Sequence, residues 1–201
     1  RAIISIDNSE IRFKVAEFKK LNNPKAYLHE FLKDYGFSEW HDVLNLLDAQ
    51  SGKQVFSSSY RLLKDRDILI LTELTSEDNN QSISIAKKDA KMTLPIGVLS
   101  FDEVSKIENT HLNIIYVDES KIKFPLAVRK WQEGNYFFPL GMKGKKKLSK
   151  YFKDEKLSLI DKENSWLLCS EDSILWVIGK RADDRFKVTE NTKQILKFEI
   201  K

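Results

Sequence analysis

Residues 75–82, Thr75-Ser76-Glu77-Asp78-Asn79-Asn80-Gln81-Ser82, contain no apolar side chain, so no hydrophobic core can run through them. This stretch reads as a linker or exposed loop and divides the chain into a domain over 1–75 and a domain over 83–201. With 201 residues in all, each part is long enough to bury a core without staples. One cysteine, Cys169, rules out an intramolecular disulfide and a multi-cysteine metal site, which fits a reducing intracellular setting. No apolar run approaches the ~18 residues needed to cross a membrane. The chain opens at Arg1 in an apolar alternating stretch, without initiator Met, signal peptide or lipidation motif, and reads as a piece of a longer, soluble protein.

The expected fold class is α+β, with a small helical and mixed first domain followed by a mixed β-sheet and helix domain. Ile3–Ile6 and Ile11–Val15 are β-prone runs around an Asp7-Asn8-Ser9 turn. Asn23-Pro24 opens a helix with Tyr27, Leu28, Phe31, Leu32 and Tyr35 at helical spacing, and Gly36 stops it. Ser38 is placed to cap a second helix, whose Trp40, Val43, Leu44 and Leu47 share a face and which ends near Ser51-Gly52. Val55-Phe56 and Ile68–Leu71 read as strands around the turn Lys64-Asp65-Arg66-Asp67. In the second part, Ile83–Ala86, Val98–Phe101, Asn113–Val117, Phe186–Val188 and Ile195–Ile200 are β-like. Trp166–Cys169 and Ile174–Ile178 form a hairpin candidate, and Lys145–Lys156 has helical spacing.

Several chemistries fail on pattern. Ser51-Gly52-Lys53 lacks the earlier Gly of a phosphate-binding loop, where Leu47 stands, and the following Ser or Thr, where Gln54 stands, so it reads as a helix C-cap. Cys169 sits in an apolar strand and reads as core filler. His29, His41 and His111 lack the close pairing of a metal site. The second helix of the first domain has no Lys or Arg between Ser38 and Gly52, the wrong sign for a DNA groove. Neither catalytic nor metal-ligating residues are expected.

The charge is where the information lies. Residues 1–120 hold 15 basic and 19 acidic side chains, whereas residues 121–201 hold 19 and 11. Such an asymmetry suits a polyanion, and nucleic acid is favoured over membrane because no basic amphipathic helix carries a large exposed apolar face. In Lys145–Lys156, Leu148, Tyr151 and Phe152 share one helical face while Lys146, Lys150 and Lys153 cluster opposite. Lys145, Lys146 and Lys147 then crowd the first turn and Asp154-Glu155 the last, against a helix-dipole preference of ~0.3–1 kcal/mol each. With Gly141 and Gly144 just before it, this helix start is a candidate anion site. Arg129 and Trp131, on an expected strand, add a guanidinium and a ring that suits either stacking or core.

Val128-Arg129, Trp131 and Gly134, then Pro139-Leu140-Gly141-Met142 and Gly144, then Lys146-Lys147-Leu148 with Phe152, Asp154 and Lys156, then Trp176-Val177-Ile178-Gly179 and Asp184-Arg185-Phe186-Lys187-Val188-Thr189 resemble the C-terminal domain of bacterial tRNA(Ile)-lysidine synthetases. The motif core spans 124–190. Ala49-Gln50-Ser51-Gly52-Lys53 and Leu63-Lys64-Asp65-Arg66 are similar to the middle region of the same enzymes. Two departures are Asn135, where the family usually has Asp, and Ser158–Asn164, which lacks the usual Pro and Arg.

The resemblance implies a cytoplasmic bacterial ligase that uses ATP, with Mg, to adenylate the wobble cytidine of tRNA(Ile) and joins lysine to it. The family's Ser-Gly-Gly-x-Asp-Ser nucleotide loop does not occur here. The expected role is therefore a tRNA-binding part with no cofactor of its own, gripping the tRNA backbone as the family does around the acceptor stem. Arg129, Trp131, Lys143, Lys145, Lys146, Lys147, Lys150, Lys153, Arg181 and Arg185 are the candidate contacts. A homodimer stays open, and the alternative is a protein-interaction or assembly module using the same basic face.

Overall fold

The computed structural model describes residues 3–7, 10–74 and 82–201. Asn8 and Ser9 of the first expected turn, and the polar stretch up to Gln81, lie outside the described residues. The chain forms two compact units, Arg1–Glu77 and Asp78–Lys201.

The first unit is framed by an antiparallel sheet of β1 (Ile4–Asp7), β2 (Glu10–Lys14), β3 (Gln54–Phe56), β4 (Tyr60–Asp65) and β5 (Ile68–Glu73), in the order β1-β2-β5-β4-β3. Three short helices, α1 (Val15–Phe18), α2 (Pro24–Leu32) and α3 (Trp40–Asn45), join its halves. Their apolar faces meet the sheet around Phe13, Phe18, Leu28, Leu32, Val43 and Leu62, all buried. Asn23 caps α2, its Oδ1 accepting from the Ala26 N–H at 3.2 Å, and Pro24 takes the first helical position.

Two local expectations are corrected. Ser38 does not cap α3 with its side chain. Its carbonyl accepts from the Trp40 N–H at 2.9 Å, and Glu39 takes the cap position without a side-chain bond. Nor is Ser51-Gly52 a helix C-cap, because α3 ends at Asn45 and the pair belongs to a turn on β4. There the Gly52 N–H donates to the Lys64 carbonyl at 2.8 Å, and Ser51 Oγ accepts from the Arg66 N–H at 3.0 Å.

The second unit contains two four-stranded antiparallel sheets. One has the order β14-β13-β10-β6, from β6 (Ser82–Ile85), β10 (Leu126–Lys130), β13 (Trp166–Ser170) and β14 (Ser173–Val177). The other has the order β7-β8-β15-β9, from β7 (Lys91–Leu94), β8 (Gly97–Val104), β9 (Ile114–Asp118) and β15 (Ile195–Ile200). A ribbon of β11 (Tyr136–Phe137) and β12 (Lys146–Lys147) leads into α4 (Leu148–Asp154), and α5 (Leu159–Glu163) follows under a Ser158–Asp161 capping box. Phe101, Val117 and Phe198 of the second sheet pack with Leu126, Val128, Leu168 and Trp176 of the first. On the opposite face of the first sheet, Leu167, Cys169, Ile174 and Val177 pack under Phe137, Leu148, Tyr151 and Phe152. Covered on both faces, β13 is buried at every position, which explains its unbroken apolar run.

Phe186–Val188 is not the strand that its composition suggests. The Asp183 side chain accepts from the Arg185 N–H and bends Asp184–Phe186 into a 3-10 turn, leaving only an isolated bridge between Val117 and Lys187. The chain end is bound into the second sheet, with Val98 and Lys201 exchanging backbone hydrogen bonds of 2.7 and 3.0 Å. Gly97, at φ +129°, makes that closure feasible, since a Cβ there would stand 2.2 Å from the Lys201 carbonyl oxygen. Gly97→Ala is therefore expected to destabilise the second unit by at least about 2 kcal/mol in urea unfolding followed by tryptophan fluorescence.

Candidate nucleic-acid interface

The lysine-rich segment is built from β11, β12 and α4 rather than from one long helix. Lys146 and Lys147 pair with Phe137 and Tyr136 as β12, so α4 begins at Leu148 and not at Lys145. The anion site expected at the helix start is corrected accordingly. The helix has only seven residues, and its first N–H, from Leu148, donates to the Asn135 carbonyl at 2.8 Å. Leu148, Tyr151 and Phe152 are buried as their spacing requires, and Lys150 and Lys153 lie exposed on the other side.

Lys146 does not join them. Its side chain is 17% exposed, bonds Asp154 at 2.8 Å and lies 5.8 Å from the Tyr151 ring. This bond answers the unfavourable carboxylate in the last turn, and it holds the Asp154 carboxyl below its usual 3.8.

The loop between β11 and β12 is fastened along residues 181–185. Phe138 N–H donates to Asp183 Oδ2 at 2.9 Å, Leu140 N–H to the Ala182 carbonyl at 2.9 Å, and Asp184 N–H to the Phe138 carbonyl at 2.7 Å. Gly141 N–H reaches Asp184 Oδ1 at 3.1 Å. The path needs left-handed backbone at Gly141 and Gly144, with φ of +79° and +83°. Asp183, 1% exposed, also receives Arg185 through Nε and Nη2, each at 2.9 Å, and the same guanidinium stacks 4.5 Å from the Phe138 ring.

The ten candidate residues thus separate by what already holds them. Lys143, Lys145, Lys147, Lys150 and Lys153 are exposed, and none of their ammonium groups makes a hydrogen bond or salt bridge among the described residues. Lys145 Nζ lies 5.0 Å from the half-exposed Tyr136 ring of β11, a contact that no spacing in the sequence signals. Arg181 is exposed and donates to the Leu140 carbonyl at 3.2 Å. Lys146 and Arg185 have carboxylate partners. Arg129 donates from Nη1 to Asn135 Oδ1 at 2.9 Å and to the Lys130 carbonyl at 3.0 Å. Asn135 therefore does orient a basic side chain, through a neutral acceptor. Trp131 meets Phe152 edge-on, centroids 5.2 Å apart, and packs against the core.

Other reactive groups lie elsewhere. Cys169 is buried, which pushes its thiol up. His29 packs on Trp40 at 4.1 Å, while His41 and His111 are exposed. Among the described residues no three His, Cys, Asp or Glu side chains gather into a metal site, and no helix is long and apolar enough to cross a membrane.

Residues 6–74 match the family model described as the TilS substrate binding domain, and residues 126–199 the one described as the TilS substrate C-terminal domain. The chain is 42% identical over 194 residues to the tRNA(Ile)-lysidine synthase of Parabacteroides distasonis, covering 94% of this chain and 44% of that protein. To the same-named protein of Bacteroides thetaiotaomicron it is 35% identical over 180 residues, covering 88% and 40%. A crystal structure of a TilS C-terminal domain matches in fold with a TM-score of 0.50 at 21% identity, covering 60% of this chain and 98% of that one. The chain spans about two fifths of the length of these curated relatives.

Removing the Asp183 carboxylate would leave the Phe138 and Arg185 backbone N–H groups without acceptors and the Arg185 guanidinium without its carboxylate. Asp183→Ala is expected to cost about 3 kcal/mol in urea unfolding, and less when Arg185→Ala is combined with it. Asp184 gives a pH signature, because the Lys187 ammonium at 2.9 Å, and then the Gly141 N–H, hold its carboxyl below 3.8. A carboxylate depressed in the folded state stabilises above its unfolded value and loses that contribution as pH falls through the depressed one. The urea midpoint of the wild-type chain should thus fall below about pH 4, and more gently in Asp184→Asn.

Proposed function

Since the chain belongs to the tRNA(Ile)-lysidine synthase family and represents its C-terminal region, we propose that it is the part of such a ligase that grips tRNA(Ile), without catalysis of its own. The whole enzyme would join lysine to the wobble cytidine at the expense of ATP, in the bacterial cytoplasm, with ATP and lysine held by a part outside these residues. The missing Ser-Gly-Gly-x-Asp-Ser loop supports that division.

One observation carries the RNA reading: the five exposed lysines Lys143, Lys145, Lys147, Lys150 and Lys153 have ammonium groups with no hydrogen bond or salt bridge among the described residues. A face optimised for stability would pair such charges or space them apart. Ammonium groups on flexible stems suit phosphates along an RNA duplex and release its counterions, whereas they read no bases. The wide minor groove of RNA adds 2′-hydroxyls as acceptors. The buried Asp183 carboxylate, its Arg185 partner and the two glycines hold the loop that presents Lys143 and Lys145.

The test is fluorescence anisotropy with unmodified tRNA(Ile) over a range of salt, beside duplex DNA of equal charge. Binding should favour tRNA, with log K falling against log salt by about 0.7–0.9 per phosphate neutralised. Lys147→Glu with Lys150→Glu should weaken binding roughly tenfold or more and flatten the slope by about two contacts. Lys146 is left intact because reversing it would break the bond to Asp154. Unchanged RNA binding together with a changed sedimentation coefficient would instead assign the face to protein assembly.

A further inference from the structure

An open groove of about 690 Å³ in the second unit adjoins the lysine face but shares none of its lysines. One wall comes from the segment before and within β9, with Ile107, Leu112 and Tyr116. The other comes from Leu140 and the 180–182 segment, with Lys180 and Arg181. Leu112 is 66% exposed, Ile107 47% and Leu140 41%, so the groove is an apolar surface left open to water. None of its described lining residues is a carboxylate.

From this arrangement we infer that the groove holds an unpaired RNA nucleotide, its base against the apolar wall and its phosphate at Lys180 and Arg181. A nucleotide joins a flat, weakly polar face to an anion, which is the division of chemistry between the two walls. An apolar peptide would bury Lys180 and Arg181 without a counter-charge, and that costs more than the apolar contact returns. The volume falls in the range of small-ligand clefts and accommodates one or two nucleotides, not a duplex.

Arg181 makes the groove continuous with the proposed grip. It lines the groove and donates to the carbonyl of Leu140, in the loop that runs through Lys143 and Lys145 to β12 and α4, which carry Lys147, Lys150 and Lys153. A duplex lying along those lysines would direct a single-stranded end past Arg181. The inference rests on the RNA-grip reading and adds a second element to the substrate, an unpaired end beside a helix.

The experiment compares a blunt RNA stem-loop with the same stem carrying an unpaired overhang of about four nucleotides at either end, by anisotropy with the 201-residue chain. An overhang at one end should tighten binding about fivefold or more. Leu112→Asp with Ile107→Ser should abolish that gain while leaving blunt-stem affinity and circular dichroism unchanged, since both positions are exposed. Lys147→Glu with Lys150→Glu should weaken both RNAs alike. No gain from either overhang, or a gain that persists in the groove variant, overturns the inference while blunt-stem binding keeps the grip reading intact. Loss of all RNA binding in the wild-type chain would sink the grip reading and this inference with it.

Discussion

The basic face depends on one buried carboxylate. Asp183 is nearly inaccessible, yet it accepts from the Arg185 guanidinium twice, from the Arg185 N–H and from the Phe138 N–H. These bonds tie the loop after β11 to the chain following β14, and so fix where Lys143 and Lys145 emerge. A buried carboxylate is tolerated only when its lone pairs are filled, and here they are filled by the two segments that must be joined. Asp184 repeats the device at the surface, with its Gly141 and Lys187 partners. Two of the cations that look available for RNA in the sequence, Lys146 and Arg185, thus serve the protein that presents the others.

Local chemistry made much of the fold legible. The Trp166–Cys169 and Ile174–Ile178 runs form the β13–β14 hairpin because Glu171 and Asp172 can turn the chain and both faces of the strands are covered. Asn23-Pro24 starts α2 through a cap that needs no distant partner. What escaped is decided at long range. Leu148, Tyr151 and Phe152 carry a genuine helical period, but the lysines before them carry no phase, and their pairing with Tyr136-Phe137 removes them from the helix. Phe186–Val188 has strand composition, and the Asp183 side chain overrides it. Lys91–Leu94 alternates polar and apolar, but over four residues only, too short a run to stand out until it pairs with β8 as β7.

The site was legible as a segment but not residue by residue. Charge clustering points to 143–153 as the cationic surface, and exposure there supports the RNA reading. Whether a given basic residue is presented to solvent depends on partners far away in sequence, as with Arg185, or across a helix, as with Lys146 and Asp154. Arg129 shows a third case, held by Asn135 at a position where the family resemblance read from the sequence implies Asp. The neutral amide keeps the geometry of the contact and gives up the charge pairing.

The proposed grip sorts individual amines: those free of hydrogen bonds and salt bridges to the protein are the ones expected to face RNA, and those with such bonds are not. Amine-labelling mass spectrometry of the chain with and without tRNA(Ile) tests it directly. Lys145, Lys147, Lys150 and Lys153 should lose reactivity on binding, while Lys123, exposed and paired with Glu171, should react as before. Uniform protection of lysines across the second unit, or protection that spares residues 143–153, would contradict the account.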